Sequence, residues 1–492
     1  MRSLLFPFAL LPGVLLPAAG YAQKAAIDEV VRSTMKQWSI PGLALVVVHQ
    51  DKVVYREGFG VRTLGKTDRV TPDTVFPIAS CTKSFTTLAM GMLVDEGKLD
   101  WDDPVRKHVP YFHLRDPLAD AAVTLRDLVA HRTGVNAHDL LWYGVDWPLE
   151  KRIRQACNLN PAMRFRSSFR YQVVYFGAAG VAVGTASKGT WERFVQDRIL
   201  GPLEMKASRC TFPTEKDVEL ASPHRMDGDG KVAVIPRYPL TEPDPAGSIH
   251  STVRDLASYL RFQLGDGTWK GKRLISAESL AEPHTPQVVL RREGAAIALN
   301  PETLFLHYGM GWIVQDYRGK LLIMHGGSID GFRAHLTLVP EAKLGIALLN
   351  NLDGGLANVA ISNSIVDLFL GAPPRDWSSY FHAIYEDGER EDRVRARELR
   401  QKRDKNKPPT APLKAYAGAY HDAAYGDCKI ELADGRLVWV WERVRAPLEH
   451  FEGDVFLANY GPLVDTAFVF RVEPGGAVAS FRTMDRVFKR SP

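Results

Sequence analysis

Cysteine is scarce. The chain has four in 492 residues and no C-x-x-C pair, which excludes a disulfide scaffold and a zinc or dithiol site built on that motif. None of the 14 histidines falls in H-E-x-x-H, so the helix-borne pattern of zinc hydrolases is missing. A G-x-S-x-G elbow is also lacking, since Gly326-Gly327-Ser328-Ile329-Asp330 fails at its last position. Charge of one sign is not in excess: 62 Lys and Arg against 57 Asp and Glu leave +5, too mild for a nucleic-acid footprint. Beyond the N-terminal segment no stretch approaches the roughly 20 unbroken apolar residues of a membrane span. No internal repeat occurs. What is present is ordinary globular composition, 45% hydrophobic and 24% charged, over a length that predicts two or three domains.

The N-terminus reads as an export signal over residues 1–22. Arg2 precedes an apolar stretch from Leu4 to Ala18 interrupted by Pro7, Pro12 and Pro17, and small residues follow at cleavage-site spacing in Gly20-Tyr21-Ala22-Gln23. The expectation is a secreted or periplasmic mature protein without a membrane span. A disulfide between Cys157 and Cys210 is permitted in such a compartment.

Ala26 to Trp38 has helical spacing, and Leu43–Val48 with Val53–Tyr55 around a polar turn reads as a β-hairpin. Helical patterns near 84–97, 124–130, 176–184, 190–200 and 253–264 fill the middle. Short β-runs return at Leu321–Met324, Arg333–Val339 and Leu344–Leu349, closed by an apolar helix from Leu356 to Leu370. Hairpin first, helices between and strands last predict one α/β sandwich, residues 26–372, whose sheet takes strands from both ends, with a helical subdomain beside it. Composition then shifts. Residues 373–410 form a charged linker or solvated helix, with nine Lys or Arg and seven Asp or Glu between Glu386 and Lys407. Residues 411–490 carry short alternating strands punctuated by Gly, Asp and Pro, the pattern of a small barrel or sandwich. No nucleophile–base pair stands out there.

The chemistry points to Ser80-Cys81-Thr82-Lys83, at the mouth of a helix whose apolar positions are Phe85, Leu88, Ala89, Met92 and Leu93. Residues three apart share a helix face, so Lys83 reaches Ser80. A desolvated lysine has a lowered pKa and takes the serine proton, and the helix N-terminus favours a developing oxyanion. Spacing alone is weak, because Ser33-Thr34-Met35-Lys36 also fits, inside an amphipathic helix and without supporting context. Two further features support Ser80. Tyr171 precedes the Gly-rich run Phe176–Gly180 and could share a proton network with Lys83. His325-Gly326-Gly327-Ser328 ends a strand where glycines let a substrate lie against the sheet edge.

With these residues the chain resembles the serine β-lactamase and penicillin-binding-protein superfamily, in its class C-like branch of D-aminopeptidases, DD-carboxypeptidases and family VIII-type esterases. The likeness covers about residues 26–372. It also rests on Val123–Leu128, His131-Arg132-Thr133-Gly134, Ser251–Leu256 and Tyr308-Gly309-Met310-Gly311-Trp312. The tail after 411 resembles, more loosely, the β-rich domain appended to such hydrolases. The resemblance implies an α/β fold: a β-lactamase-like antiparallel sheet flanked by helices, a helical subdomain and a small C-terminal all-β domain. It further implies Ser80 as nucleophile, Lys83 as general base and Tyr171 as proton relay. His325, Gly326 and Gly327 would present a positive or hydrogen-bonding group to substrate, and the Ser328 N–H would join that of Ser80 in an oxyanion hole. No cofactor or metal is implied. One position departs: the Asn of the family's Y-x-N falls at Val173, which cannot hydrogen-bond an amide side chain of the substrate. The expected function is therefore acyl-serine hydrolysis of a small peptide or amide, with a carboxylesterase as the first alternative. A non-catalytic penicillin-binding or receptor-like protein is the second. No nucleic-acid partner is expected, and oligomeric state is left open.

Overall fold

The structure is a computed structural model that describes residues 16–213, 218–239, 242–404, 406–461 and 463–492, with side chains from residue 22 onward. The export signal expected over 1–22 lies, save its last residue, outside the residues whose side chains are described. Eight strands form one antiparallel sheet. Its order runs from Lys52–Gly60 through Gly42–His49, Leu344–Asn350, Phe332–Val339, Lys320–Ile329, Ile313–Tyr317 and Leu306–Tyr308 to Val288–Val289. The N-terminal hairpin thus pairs with the late strands, Leu43 opposite Asn350 and Val48 opposite Gly345.

The all-apolar run Leu43–Val48 follows from burial on both faces. Ala44, Val46 and Val48 pack into a core shared with the central helices. Leu43, Leu45 and Val47 pack into a second core with Ile27, Val31, Trp38, Ile361 and Ile365. This second core is closed by the helices Leu16–Gln37, Ala357–Leu370 and Trp377–Lys402. The last of these has the expected charge run and is solvated for most of its length, but Trp377 and Phe381 anchor its first turns in the core.

On the other face lie the helices Thr82–Asp95, Leu149–Ala156, Val173–Ser187 and Val253–Gln263. Gly180 sits where Val173–Ser187 meets Pro245; a Cβ there would lie 2.1 Å from the proline ring. Among the described residues no helix is long and apolar enough to cross a membrane. The disulfide permitted by sequence does not form: Cys157 and Cys210 are both free and buried. Cys157 Sγ instead accepts the His113 N–H at 3.3 Å.

The C-terminal region is a closed eight-stranded barrel from Gly418 to Arg490. Along Arg436–Trp441 the even positions face outward while Leu437, Trp439 and Trp441 point inward, so this aromatic strand fills the barrel. The barrel shares its core with the hydrolase-like part. Trp441 meets Trp147 edge-on at 5.5 Å, His138 Nδ1 lies 3.0 Å from the Tyr425 hydroxyl, and Arg443 pairs with Asp146.

Candidate active site

Ser80 occupies a single 3-10 turn, Ala79–Cys81, that runs into the helix Thr82–Asp95. Ala79 has φ +45°, a left-handed conformation that costs an L-residue on the order of 1–3 kcal/mol and survives because the surroundings hold it. Three contacts do so. Ile78 N–H donates to Ile249 O at 2.9 Å, Ile249 N–H donates to Thr82 Oγ1 at 3.1 Å, and the Cys81 thiol donates to His325 O at 3.3 Å. Burial pushes that thiol up to about 12, so Cys81 ties the turn to the sheet and is no rival nucleophile.

Lys83, one turn on, is fully buried. Its Nζ lies 3.2 Å from Ser80 Oγ and donates to Ala246 O at 2.8 Å. The aromatic rings of Tyr171 and Phe176 cover it, 4.8 Å and 5.4 Å from Nζ to centroid. Burial lowers its pKa to about 7, against the pull of Asp244, Cys81 and Asp139 in the opposite direction. A buried amine with a lowered pKa, 3.2 Å from a serine hydroxyl, can accept that hydroxyl's proton. Ser33 and Lys36 show the contrast: Ser33 Oγ is spent on the Glu29 carbonyl of its own helix at 2.7 Å.

Tyr171 closes the third side. Burial raises its phenol well above the ordinary range, and a hydrogen bond with Ser80 partly offsets that. The chain reaches this position through His131, itself held at φ +55°. His131 O accepts from Arg170 N–H at 2.7 Å, its Nδ1 accepts from Gln172 N–H at 3.1 Å, and its ring lies 4.3 Å from that of Tyr171. Gln172 then caps the helix Val173–Ser187 by accepting from Val174 N–H at 3.3 Å. Val173 is the first residue of that helix and packs against the core, with no polar group to offer.

The strand Lys320–Ile329 forms the fourth side and runs straight through the His325–Ser328 motif. Its pairing with Ile313–Tyr317 ends at Met324 opposite Ile313, whereas its other edge stays paired to Ile329 opposite Phe332. From His325 onward one edge therefore has no strand partner among the described residues. Gly326 and Ser328 are exposed; His325 and Gly327 are buried. A Cβ on Gly327 would lie 2.1 Å from Ile78 O, which is why the strand can press against the Ser80 turn.

His325 departs from expectation. Burial first, and then the nearby Lys83, lower its pKa to about 3, so the imidazole is neutral. Both ring nitrogens are engaged inside the protein, Nδ1 with Gly326 O at 2.7 Å and Nε2 with the Tyr308 hydroxyl at 3.1 Å. Nδ1–H donates to the carbonyl, so Nε2 accepts from Tyr308. The residue is not a positive group presented to substrate; it fixes Tyr308 and, through the chain, the glycines after it.

The structure thus gathers Ser80, Lys83, Tyr171, His325, Gly326, Gly327 and Ser328 from three separate stretches of sequence. Sequence reasoning missed His131, Tyr308, Asp244 and Ala246. The first two lie in the H-R-T-G and Y-G-M-G-W stretches, whose patterning was visible without a role. Asp244 and Ala246 lie in Pro243-Asp244-Pro245-Ala246-Gly247, legible only as a turn.

Known proteins resemble this chain over most of its length. Residues 27–368 match the beta-lactamase family, and 402–490 match a domain of unknown function, DUF3471. The chain belongs to the beta-lactamase family, whose members are generally serine hydrolases. An unguisins hydrolase of Aspergillus campestris is 27% identical over 429 residues, 81% of this chain and 76% of the relative. Protein flp of Staphylococcus aureus is 25% identical over 344 residues, 66% of this chain and 63% of that protein. An octameric penicillin-binding protein homologue from Pyrococcus abyssi superposes with a TM-score of 0.63 at 24% identity, covering 94% of this chain and 99% of the other, which shows the same fold.

Proposed function

We propose that the protein is an exported serine hydrolase that forms an acyl-enzyme at Ser80 and acts on small or modified peptides or amides. The observation that carries this reading is the buried Lys83 amine 3.2 Å from Ser80 Oγ with its pKa lowered to about 7. Neutral Lys83 takes the Ser80 proton as Oγ bonds to the substrate carbonyl carbon, and the carbonyl electron pair moves onto oxygen. The N–H groups of Ser80 and Ser328 are the donors assigned to that oxyanion. Collapse of the intermediate breaks the bond to the leaving amine, which receives its proton through Tyr171 and Lys83. Water then attacks the ester by the same route and restores Ser80. Every proton taken is returned, so this chain's own groups suffice.

A peptide is favoured over other acyl donors because the strand edge beyond Met324, unpaired and with Gly326 and Ser328 exposed, can receive an extended chain. An ester is the second reading, favoured by Val173, which leaves a substrate amide side chain without a partner at that point. Export rests on the N-terminal pattern alone. A panel of a peptide amide, an aryl ester and a penicillin, run on wild type and Ser80→Ala, tests the proposal. Turnover of the amide or ester that disappears in Ser80→Ala supports it. Turnover that survives the substitution, or a penicillin preferred over both others, overturns it.

A further inference from the structure

Lys83 does not rest on Ser80 alone. Its second partner, Ala246 O, belongs to a turn built around one buried carboxylate. Asp244 Oδ1 accepts from Ala246 N–H at 2.8 Å, while Asp244 N–H donates to Ser248 Oγ at 2.8 Å, and Ser248 Oγ donates to Cys210 O at 2.5 Å. Between them Pro245 O accepts from Thr86 Oγ1 at 2.7 Å, tying the turn to the helix that carries Lys83. The other oxygen, Asp244 Oδ2, pairs with Arg152 Nη1 at 2.7 Å, and both side chains are only 9% exposed. Arg152 comes from the helix Leu149–Ala156, 92 residues before Asp244 in the chain. Among the described residues its Nε is buried without a partner, and Asp244 is the carboxylate it pairs with.

A buried carboxylate this close would ordinarily favour the ammonium form of Lys83 and so spoil it as a base. Arg152, a buried cation on the other oxygen of the same carboxylate, opposes that field. We propose that Arg152 is a positioning residue for the reaction: by neutralising Asp244 it lets the turn 244–248 hold Lys83 beside Ser80 in the uncharged form. The role of Arg152 rests on the reading of Ser80 and Lys83 given above. The other groups facing Lys83 leave this balance in place. Tyr171 and Cys81 are protonated, His131 and His325 are buried and neutral, and Asp139 acts from an exposed position. Asp244 is the first charged group acting on the lysine.

The test is the pH dependence of Ser80 labelling by a fluorophosphonate in the full chain, followed for wild type, Arg152→Met, Asp244→Asn, the double variant and Arg152→Lys. Arg152→Met should move the midpoint of the rising limb up by about one pH unit, a roughly tenfold slower labelling at pH 6, with the alkaline plateau kept. Asp244→Asn should move it down. The double variant and Arg152→Lys should return near the wild-type midpoint. A merely structural pair would lower the plateau and leave every midpoint where it was, and that result overturns the inference. Should one single variant fail to fold, the other decides: a midpoint moved in its expected direction supports the inference, and a wild-type midpoint overturns it. Absence of labelling in wild type would instead overturn the reading of Ser80 and Lys83 itself, so the two failures are distinguishable.

Discussion

Gly327→Ala changes one hydrogen for a methyl, and the structure predicts its cost. The new Cβ would lie 2.1 Å from Ile78 O, 3.0 Å from the Ile78 carbonyl carbon and 3.1 Å from Ala334 Cβ, where ordinary contact begins at 3.4 Å. The gap must widen by about 3.4 − 2.1 = 1.3 Å. No flexible tip can give way. Ile78 O is main chain and accepts the Cys81 N–H that closes the Ser80 turn at 3.1 Å, and Gly327 is paired with Ala334 in the sheet. Overpacking of this kind costs about 1–3 kcal/mol. Displacement of a reacting group by about 1 Å costs on the order of 10²-fold in rate. Gly326→Ala is the internal control, since a Cβ there meets nothing within 4 Å. Thermal unfolding and the rate of fluorophosphonate labelling, measured on both variants, check the argument. Gly327→Ala should melt lower and label about 10²-fold more slowly, whereas Gly326→Ala should melt with wild type. Equal melting of the two variants, or wild-type labelling by Gly327→Ala, would refute the claim that this contact seats the Ser80 turn.

Further outcomes follow from the same geometry. Because burial lowers the Lys83 pKa to about 7, kcat/KM should rise about tenfold per pH unit below pH 7 and level off above it, protonated lysine being unable to accept the serine proton; a profile flat from pH 5 to 9 counts against the general-base role. Val173→Asn supplies the missing amide, and the ratio of β-lactam to ester turnover should rise by about five- to 150-fold, the equivalent of about 1–3 kcal/mol; an unchanged ratio shows that Val173 does not set substrate preference. Trp441→Ala empties a fully buried site between barrel and hydrolase core and should cost about 3–5 kcal/mol in denaturant unfolding; a loss below 1 kcal/mol would mean that the shared core is not what joins them.

The parts legible in the sequence are those where local pattern and tertiary environment agree. Leu43–Val48 reads as a buried strand because both faces are covered, and the short strands of 411–490 read as such because, as along Arg436–Trp441, inward and outward residues alternate. Ser80 and Lys83 are legible because a helix brings residues three apart together. The barrel strand Val444–Glu452 was not anticipated, since its outer face is polar and Pro447 interrupts it. His325 reads as a presented group because its spacing suits that role; its neutrality comes from burial and the nearby Lys83, and its Nε2 is engaged by Tyr308, seventeen residues away on a strand the pattern did not reveal. The partners of Lys83 are harder still. One is a main-chain carbonyl, which no residue type marks, and the charges behind it, Asp244 and Arg152, are 92 residues apart and meet only in the folded chain.

Ser80, activated by Lys83, is expected to form a covalent acyl-type adduct. Mass spectrometry of the full chain after fluorophosphonate treatment, with peptide mapping of the modified residue, tests it most directly. A single adduct on Ser80 in wild type, lost in Ser80→Ala and strongly slowed in Lys83→Met, is the predicted result. An adduct on another residue, or full labelling of Ser80→Ala, would contradict it.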